Sequence, residues 1–541
     1  MAPAIVHLPN GQNLTVTPVF GGLYFKANDL SNHHSSFPPG WTVVLNSEDN
    51  EKDHEPLAYA AGEPGGYEPD HVPQKHYIHR YKRPTLHNDH LYISSISNPS
   101  NDEFKPATSP TRQIAMMLWA TLWWYFHQPE PDPRIMTAAS AKTAEEGRPK
   151  GEWRININRE GILKGKQLLP KLERMGLVAS EDSCVGCDTD NRTGEGWSEM
   201  FVSRRSFWQL DARIYLFTLS PLAANTPFPA SSPSTSRPNS PSRSGAMTPS
   251  APRRPETHAE ATSQGLWAPT SPGSTGPFHS SSNLPTYYPP PPPQYIFTNG
   301  IRHPVRPKPP RPNETFYTRY VPSVGQYLSF RVASLSIKPH THHGPVSSAM
   351  LPNLRTVSTS VSDSVVPTMG TLNIGACDTD LLHTWMNDPR VAHFWGEQGP
   401  KEHQEAFLEK AMKSRHSFPV IGCWDGKPFG YFEIYWVKED GLGAHMGGTA
   451  GDWDRGLHCL VGEQELRGAH RVKLWLSALV HWCWLADNRT QTVLLEPRVD
   501  NVKLKQYLEE VGFHKEREIS FPHKQSNLMK IGRDAWDAPV L

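Results

Sequence analysis

The sequence predicts an α/β (α+β) protein with two folded regions and a long low-complexity segment between them. Three observations lead to this architecture. A chain of 541 residues is longer than one hydrophobic core usually supports. Pro, Ser, Thr and Gly dominate residues 221–313, whereas tryptophans occur on both sides of that segment. Residues 314–541 alternate between strand and helix patterns, which predicts a mixed sheet flanked by helices.

Residues 1–220 are predicted to form an α+β domain. Leu14–Val19 alternates as a strand should, and the Trp-rich stretch Gln113–His127 indicates a buried helix. A second helix is expected at Gly161–Met175, because Gly176 follows it as a stop signal. Closing strands are expected at Phe207–Leu210 and Ile214–Phe217. No cluster of catalytic groups is apparent in this region, so the predicted role is a scaffold or a substrate gate.

The composition of residues 221–313 predicts a disordered linker or an insertion in a surface loop. Such a segment cannot bury enough apolar surface to offset its conformational entropy. Near its end, Arg306–Pro312 has the composition of a polyproline ligand for an SH3-like domain. A spacer is the simpler interpretation.

Residues 314–541 are predicted to form the third unit of the chain. A hairpin is expected at Pro419–Val437, because Asp425-Gly426 is a strong turn signal. The other expected strands are Tyr327–Val332, Gly456–Val461 and Thr492–Glu496. The expected helices are Thr379–Asn387, Val472–Ala486 and Asn501–Val511, the last ended by Gly512.

Charge and hydropathy exclude several classes of protein. The chain has 54 Lys plus Arg and 54 Asp plus Glu, and it lacks the basic field that nucleic acid or anionic lipid would require. The longest apolar run, Ile114–Phe126, is too short to span a bilayer, and Met1–Ile5 does not begin a secretory signal. A cytoplasmic protein without nucleic-acid or membrane partners is therefore expected.

Cysteine and histidine usage predicts no metal site. Six cysteines in a chain of this length do not form a disulfide framework, and Cys184 and Cys187 make a lone C-x-x-C pair. The histidine cluster His340–His343 falls in a predicted irregular loop, with no cysteine or carboxylate beside it to complete a metal site.

The join between the strand at Gly456–Val461 and the helix after it is a candidate pyrophosphate site. Free N–H groups of a first helical turn and the helix dipole favour an anion. Arg467 and Arg471 would add positive charge, and Gly468 permits close backbone approach. A solvated helix end that happens to carry arginines is the alternative interpretation.

This join resembles the pyrophosphate loop of the GNAT superfamily, Arg/Gln-x-x-Gly-x-Gly/Ala. Arg467-Gly468 matches the start of the common form Arg-Gly-x-Gly-x-Gly, while His470 and Val472 replace its two later glycines. The resemblance implies an acyl-CoA site. A backbone N–H of the preceding strand would polarise the thioester carbonyl of the bound acyl-CoA. The residues that it implies at this site are Leu460, Val461, Arg467, Gly468, Ala469, His470, Arg471 and Asn501.

The end of the domain is similar to the closing pattern of the same superfamily. Asn501 is followed by a helix and then by Gly512-Phe513. Leu508 stands where the superfamily usually has a tyrosine, and Tyr507 is one position away. A tyrosine acid that protonates the CoA thiolate is therefore not expected here.

A narrower resemblance is to the siderophore-biosynthesis acyltransferases, which include bacterial hydroxylysine acetyltransferases and fungal hydroxyornithine acyltransferases. It spans about Leu381 to Ile531, in several stretches in the same order. These stretches are Asp388–Glu397, Asp454–Glu463, Arg467–Val472, Thr490–Val493 and Glu496–Asn501. The resemblance implies transfer of an acyl group from CoA to the N-hydroxy nitrogen of hydroxyornithine, giving a hydroxamate. It also implies a substrate pocket lined by His393, Trp395 and Glu397.

This reaction needs little acid–base machinery, because an N-hydroxy substituent lowers the basicity of the amine. Leu457 and Cys459 share one face of the predicted strand, so His458 points to the other and is the candidate base. Asp500 is expected to orient His458, to hold the substrate's ammonium group or to cap the next helix, and Glu496 is a second candidate to orient His458. Cys459 lacks an activating partner and is expected to be a core residue.

Alternatives remain open for the acyl donor, the acceptor and the activity itself. Acetyl-CoA suits a cytoplasmic enzyme, and the chain lacks the Ser-Lys-Leu-type tail of peroxisomal relatives that use the longer anhydromevalonyl-CoA. An ordinary amine or a protein N-terminus as acceptor would call for a stronger base. The third alternative is a catalytically inactive GNAT-like binding module.

Overall fold

A computed structural model describes residues 4–9, 11–28, 37–50, 76–97, 110–165, 167–180, 200–210, 293–347, 369–373 and 375–541. Most of the predicted linker lies outside these residues. Cys184, Cys187 and the strand predicted at Ile214–Phe217 also lie outside them.

The N-terminal region forms a nine-stranded sheet with helices packed on it. Its strands are β1 (Ala4–His7), β2 (Asn13–Val19), β3 (Gly22–Ala27), β4 (Gly40–Asn50), β5 (His76–Arg80), β6 (Asp89–Ser97), β7 (Arg154–Ile157), β8 (Ala179–Ser180) and β9 (Met200–Ser203). Its helices are α1 (Pro110–Tyr125), α2 (Leu168–Arg174) and α3 (Arg204–Gln209), with 3₁₀ turns at Glu145–Gly147 and Gly161–Lys164. The strand order is β1-β2-β3-β4-β6-β7-β9-β8, with β5 also paired to β4.

Two local predictions in this region are wrong. Phe207–Leu210, expected as a strand, lies mostly in α3, because the Ser203 side chain caps the helix by accepting from the Ser206 N–H. The helix expected at Gly161–Met175 is interrupted, because Gly165 adopts an extended backbone between the 3₁₀ turn and α2.

The C-terminal region forms an eight-stranded mixed sheet and two short two-stranded ribbons. Its strands are β10 (Tyr295–Thr298), β11 (Ile301–Pro304), β12 (Thr315–Val321), β13 (Gln326–Val332), β14 (Thr341–Pro345), β15 (Met369–Asn373), β16 (Ser417–Trp424), β17 (Lys427–Trp436), β18 (Arg455–Val461), β19 (Thr492–Leu495), β20 (His514–Ser520) and β21 (Gln525–Gly532). Its helices are α4 (Asp378–Met386), α5 (Pro389–Trp395), α6 (Lys401–Lys413), α7 (Gly441–His445), α8 (Ala469–Ala486) and α9 (Val502–Val511), with 3₁₀ turns at Val437–Glu439 and Gln464–Leu466. The main sheet has the order β12-β13-β16-β17-β18-β19-β21-β20, which confirms the predicted mixed sheet flanked by helices.

The hairpin β10–β11 begins inside the segment predicted as a linker. Arg306, just after it, forms a bidentate ion pair with Glu439 at 2.6 Å for each contact, and both side chains are almost fully buried. Arg306 therefore anchors the hairpin to the C-terminal domain. The loop expected around His340–His343 is also different, because Thr341–Pro345 pairs with β15 as strand β14.

Helix α8 joins the two regions into one core. His481, which is 5% exposed, donates from Nε2 to the Trp208 carbonyl at 2.7 Å and accepts at Nδ1 from the Tyr317 hydroxyl at 2.9 Å. The Gln209 amide donates to the Arg533 carbonyl at 3.0 Å. A single apolar cluster runs from the N-terminal sheet through α1 and α8 to the C-terminal sheet.

The burial of His481 predicts a stability that declines in acid. Burial, reinforced by the charge of Arg319, lowers the pKa of His481 from 6.5 to about 3. Between these values the unfolded chain binds the extra proton, so this stabilisation is complete above pH 6.5 and is lost as the pH falls towards 3. We expect a loss of roughly 2 kcal/mol at pH 5, measured by thermal unfolding. The variant His481→Gln should lose less stability over the same pH interval, and an equal loss would contradict this explanation.

Two kinds of feature are missing from the part of the chain that the structure describes. None of its helices has the length and apolar composition that a bilayer crossing requires. No group of three or more His, Cys, Asp or Glu side chains among the described residues is arranged to hold a metal ion. The four cysteines within the described ranges are free thiols.

Candidate active site

The candidate site lies on the face of the main sheet opposite α8. Leu457 and Cys459 contribute to the core around α8, which confirms that His458, between them on β18, points to the other face. The antiparallel register of β17 and β18 places Glu433 directly opposite His458. Non-local strand pairing thus brings together an imidazole and a carboxylate that are well separated along the chain.

Two carboxylates hold the His458 ring from both sides. Glu433 Oε2 lies 2.8 Å from Nδ1, and Glu496 Oε1 lies 2.8 Å from Nε2. The exposed fractions of the three side chains are 31% for His458, 17% for Glu433 and 5% for Glu496. We call Glu433, His458 and Glu496 the carboxylate–imidazole cluster. Because both ring nitrogens face carboxylates, the geometry favours a doubly protonated imidazolium.

The pKa shifts of the cluster agree with this charge state. Burial alone would lower the pKa of His458, but the charge of Glu496 and the hydrogen bonds to both carboxylates raise it well above 6.5. Burial likewise tends to raise the pKa of Glu496, yet the adjacent His458 cation keeps it below its usual value. The cluster therefore holds two carboxylates and one imidazolium, with a net charge of −1.

Two tyrosines and a lysine fix the carboxylates. The Tyr431 hydroxyl donates to Glu433 Oε1 at 2.8 Å, and the Tyr435 hydroxyl donates to Glu496 Oε2 at 2.9 Å. Lys524 Nζ donates to the Glu496 carbonyl at 3.3 Å and lies 3.6 Å from its Oε1. These partners occupy the remaining carboxylate oxygens, so each glutamate is held in one orientation.

The predicted substrate-side residues divide into one that contacts the cluster and two at the rim. The Trp395 ring stands edge-on to His458, with centroids 6.4 Å apart, and also packs against Tyr431. His393 is exposed, and its carbonyl accepts from Arg498 at the rim. Glu397 pairs with His403 at 2.7 Å. Trp395 is therefore the member of the predicted trio best placed to contact a substrate.

The structure places Asp500 at the rim of the site and not against His458. Its carboxylate accepts from the Arg498 guanidinium at 3.0 and 2.5 Å. The cap of α9 is Asn501, whose side chain accepts from the Leu504 N–H at 3.3 Å. The sequence offered Asp500 and Glu496 as candidates to orient His458, and the structure places Glu496 in that position.

Beside the cluster, two parallel strands separate. β18 and β19 pair only at Arg455 with Val493 and at Gly456 with Leu494. Beyond Gly456, β18 pairs with β17 alone within the described residues, so one edge of its remaining backbone faces an opening. The Val461 N–H lies on that edge, which is where an extended acyl-CoA arm could bind the backbone, whereas the Leu460 backbone faces β17, since the Gly462 N–H donates to the Phe429 carbonyl and successive residues alternate.

The opening leads to the start of α8. Gly468, with φ of 128°, precedes the helix, and Ala469 and His470 form its exposed first turn. Arg467 donates from Nη2 to the Val461 carbonyl at 2.8 Å, whereas Arg471 donates to Gln326 at 2.9 Å. Of the predicted loop residues, the two arginines thus brace the join while the helix start supplies free N–H groups for a pyrophosphate.

Gly468 gives a testable constraint on this join. A φ of 128° is accessible to glycine but strained for other residues, and a Cβ there would lie 2.9 Å from the His470 ring. We expect Gly468→Val to raise the KM for acetyl-CoA about tenfold with little change in kcat, because 1–2 kcal/mol of strain would fall on the binding loop. Gly165→Val, at an open position with negative φ, is the matched control. An unchanged KM would show that the join does not contact the donor.

Cys459 is not positioned as a nucleophile. It points into the α8 core, and burial, reinforced by the charge of Glu496, raises its pKa. Glu433 is the member of the carboxylate–imidazole cluster that sequence reasoning missed. The signal was available in the predicted hairpin, because Glu433 is a carboxylate within the largely apolar strand β17. Its partner could not be identified without the register between β17 and β18.

Known proteins are similar to this chain either over the region that contains the site or over nearly its whole length. Residues 376–521 match the acetyltransferase (GNAT) domain family. The chain is 48% identical to N5-hydroxyornithine acetylase sidL of Beauveria bassiana over 562 residues, covering 97% of this chain and 100% of that protein. It is 39% identical to the N(6)-hydroxylysine O-acetyltransferase of Escherichia coli, over 42% of this chain and 58% of that protein. It is 35% identical to the N(5)-hydroxyornithine:cis-anhydromevalonyl coenzyme A-N(5)-transacylase SIDF of Beauveria bassiana, over 43% of this chain and 42% of that protein. The chain therefore belongs to the family of GNAT acyltransferases that includes the N5-hydroxyornithine acetylase.

Proposed function

We propose that this protein transfers an acetyl group from acetyl-CoA to the hydroxylated side-chain nitrogen of hydroxyornithine, forming a hydroxamate. The observation that carries the proposal is the carboxylate–imidazole cluster at the point where β18 and β19 separate. The full-length similarity to an N5-hydroxyornithine acetylase supports both the acceptor and the acyl group. Hydroxamate oxygens bind ferric iron, so the proposed role is siderophore biosynthesis, in the cytoplasm.

The donor occupies the opening between the two strands in this proposal. Its pyrophosphate lies at the first turn of α8, and its pantetheine arm runs along the free edge of β18. The thioester carbonyl then accepts a hydrogen bond from a backbone N–H near Leu460 or Val461. This contact would stabilise the oxyanion that forms when the carbonyl carbon is attacked.

The acceptor approaches from the face that carries the cluster. Its unprotonated N-hydroxy nitrogen attacks the thioester carbon, a C–N bond forms, and the C–S bond breaks. Trp395 forms one wall beside His458. The reaction converts one N–H and one thioester into a hydroxamate and a CoA thiol, so one proton must move from nitrogen towards sulfur.

The cluster as a whole is the proposed proton acceptor. The sequence predicted a neutral His458 as the base. For His458 to act in this way, one glutamate would have to move away and expose a ring nitrogen of His458 to the substrate. The proposal instead assigns the first proton transfer to Glu433, the more exposed of the two carboxylates, while the His458 cation keeps both glutamates ionised. The added proton makes the cluster neutral before it passes to the departing thiolate.

Product analysis by mass spectrometry tests the proposal. The full chain is incubated with hydroxyornithine or ornithine as acceptor and with acetyl-CoA or anhydromevalonyl-CoA as donor. We expect acetylated hydroxyornithine and at least tenfold less product from ornithine, whose amine is protonated near neutral pH. Product from the longer donor alone would overturn the assigned acyl group. No product with any pair would favour a binding module.

The atom that is acetylated needs a separate measurement, because one relative carries the name of an O-acetyltransferase. An N-acetyl product is a hydroxamate and gives a coloured complex with Fe³⁺, whereas an O-acetyl hydroxylamine lacks the second chelating oxygen. We expect the coloured complex together with NMR coupling of the acetyl carbonyl to the side-chain nitrogen. A product of the right mass that does not bind Fe³⁺ would contradict N-acetylation.

A further inference from the structure

The N-terminal and C-terminal sheets have the same topology. In the N-terminal sheet, β1, β2, β3, β4 and β6 are antiparallel neighbours, α1 crosses to the parallel strand β7, and α2, β8 and β9 complete the order β7-β9-β8. In the C-terminal sheet, β12, β13, β16, β17 and β18 are antiparallel neighbours, α8 crosses to the parallel strand β19, and α9, β20 and β21 complete the order β19-β21-β20. Eight strands and two helices correspond one to one, in the same order along the chain.

A histidine also lies on the equivalent strand, but in a different register: the residue paired with His90 is Asn46, whereas the residue paired with His458 is Glu433. His90 on β6 has Glu48 of β4 at 3.1 Å from Nε2 and Asn158 at 3.0 Å from Nδ1. Asn158 is the first residue after β7, as Glu496 is the first residue after β19. The N-terminal arrangement therefore has one carboxylate and one amide in place of two carboxylates. It therefore lacks the second carboxylate, which in the C-terminal cluster is available to accept a proton.

In the part of the N-terminal region that the structure describes, the sheet has no counterpart of the wall on the acceptor side. In the C-terminal domain, α4, α5 and α6 lie between β13 and β16, and α5 carries Trp395. The equivalent strands β2 and β3 are joined directly through Phe20 and Gly21. Among the described residues of the N-terminal region, no helix is inserted between these two strands to enclose a small substrate.

The donor opening is filled in the N-terminal sheet. After β7 the chain stays on β6, since the Asn158 N–H donates to the Leu91 carbonyl at 2.9 Å. Gly161 then packs so closely that a Cβ would lie 2.2 Å from the Ile93 carbonyl oxygen, and Leu163 beside it is fully buried. The 3₁₀ turn Gly161–Lys164 thus covers the edge of β6 that corresponds to the open edge of β18.

After β19 the chain takes the opposite course. The Asn527 N–H donates to the Pro497 carbonyl at 2.8 Å, and the Val499 N–H donates to the Gln525 carbonyl at 3.0 Å. These bonds draw the segment towards β21 and away from β18. The two sheets therefore share a topology and differ at the one edge where an acyl-CoA would bind.

We infer that the N-terminal sheet and its helices α1 and α2 are a second copy of the acetyltransferase fold that has lost its donor and acceptor sites, so that a chain with two such folds binds one acyl-CoA. The single remaining site is the C-terminal one of the proposed function. The role of the inactive copy is to cover α8, through contacts such as that between Trp208 and His481.

Calorimetric titration of the full chain with CoA tests the count of sites. We expect one equivalent for the wild type and none for the double variant Arg467→Glu, Arg471→Glu, in which only the C-terminal join is changed. Two equivalents for the wild type, or one for the double variant, would overturn the inference while leaving the proposed function intact. No binding by the wild type would instead overturn the proposed function together with its single site.

A pair of histidine variants tests the loss of activity in the N-terminal copy. His90→Ala should retain hydroxyornithine turnover within twofold, whereas His458→Ala should lose it. Circular dichroism and thermal unfolding of His90→Ala show whether the variant is folded. A folded His90→Ala chain with turnover reduced tenfold or more would show that the N-terminal site takes part in the reaction and would refute the inference.

Discussion

Replacing His458 by alanine is expected to lower kcat/KM for hydroxyornithine acetylation by about a thousandfold. The substitution removes the cation that lies between Glu433 and Glu496 and donates hydrogen bonds to both. Without that cation the two carboxylates lose their alignment and the neighbouring positive charge that favours an ionised proton acceptor, so transfer of the substrate proton to Glu433 slows. The measurement is CoA thiol release under saturating acetyl-CoA.

Two controls separate this effect from a general loss of structure. CoA affinity of His458→Ala, measured by calorimetry, should stay within about threefold of the wild type, because the donor edge of β18 is backbone. Cys459→Ala changes the neighbouring side chain on the opposite face and should keep most of the activity, as expected for a core residue. A loss of less than tenfold in folded His458→Ala would contradict a role for the imidazolium.

Replacing Glu433 by glutamine is expected to lower kcat about a hundredfold with little change in the KM for acetyl-CoA. The amide keeps the size of the side chain and can still accept from Tyr431, but it removes the negative charge that receives the proton. The pKa of His458 should also fall, because the hydrogen bond that its ring donates to the Glu433 carboxylate is among the contacts that raise it. Side-chain ¹⁵N shifts of His458 as a function of pH measure that change.

Glu496→Gln is the matched comparison for Glu433. Glu496 is the less exposed carboxylate and is fixed by Tyr435 and Lys524, so its substitution should lower thermal stability as well as activity. Glu433→Gln should unfold close to the wild-type temperature. If Glu433→Gln kept wild-type kcat while Glu496→Gln lost it, the first proton acceptor would be Glu496 and the assignment to Glu433 would be wrong.

The C-terminal domain was largely predictable because its signals are local. The Asp425-Gly426 turn, the stop at Gly512 and the alternation around His458 each depend on a few neighbouring residues. These patterns gave the hairpin, α9 and the face on which His458 lies. Glu496 could be proposed as a partner of His458 from an equally local signal, since it ends the predicted strand Thr492–Glu496.

What the sequence left open depends on contacts between distant segments. Glu433 meets His458 only through the register of β17 and β18, and Asp500 leaves the cluster because Arg498 pairs with it. The N-terminal fold depends on a parallel contact between β6 and β7 across α1, which no short pattern encodes. The role of the two carboxylates could therefore be assigned only after the strand pairing was known.

The most direct test of the central claim is a single-turnover reaction of the full chain with acetyl-CoA and hydroxyornithine, followed by mass spectrometry and Fe³⁺ binding of the product. We expect one equivalent of an N-acetylated hydroxamate and one equivalent of CoA thiol, as the proposed function predicts. It also predicts that neither forms at a comparable rate in His458→Ala. Equal product formation by the wild type and His458→Ala would contradict it, because the acetyl group would then transfer without the carboxylate–imidazole cluster.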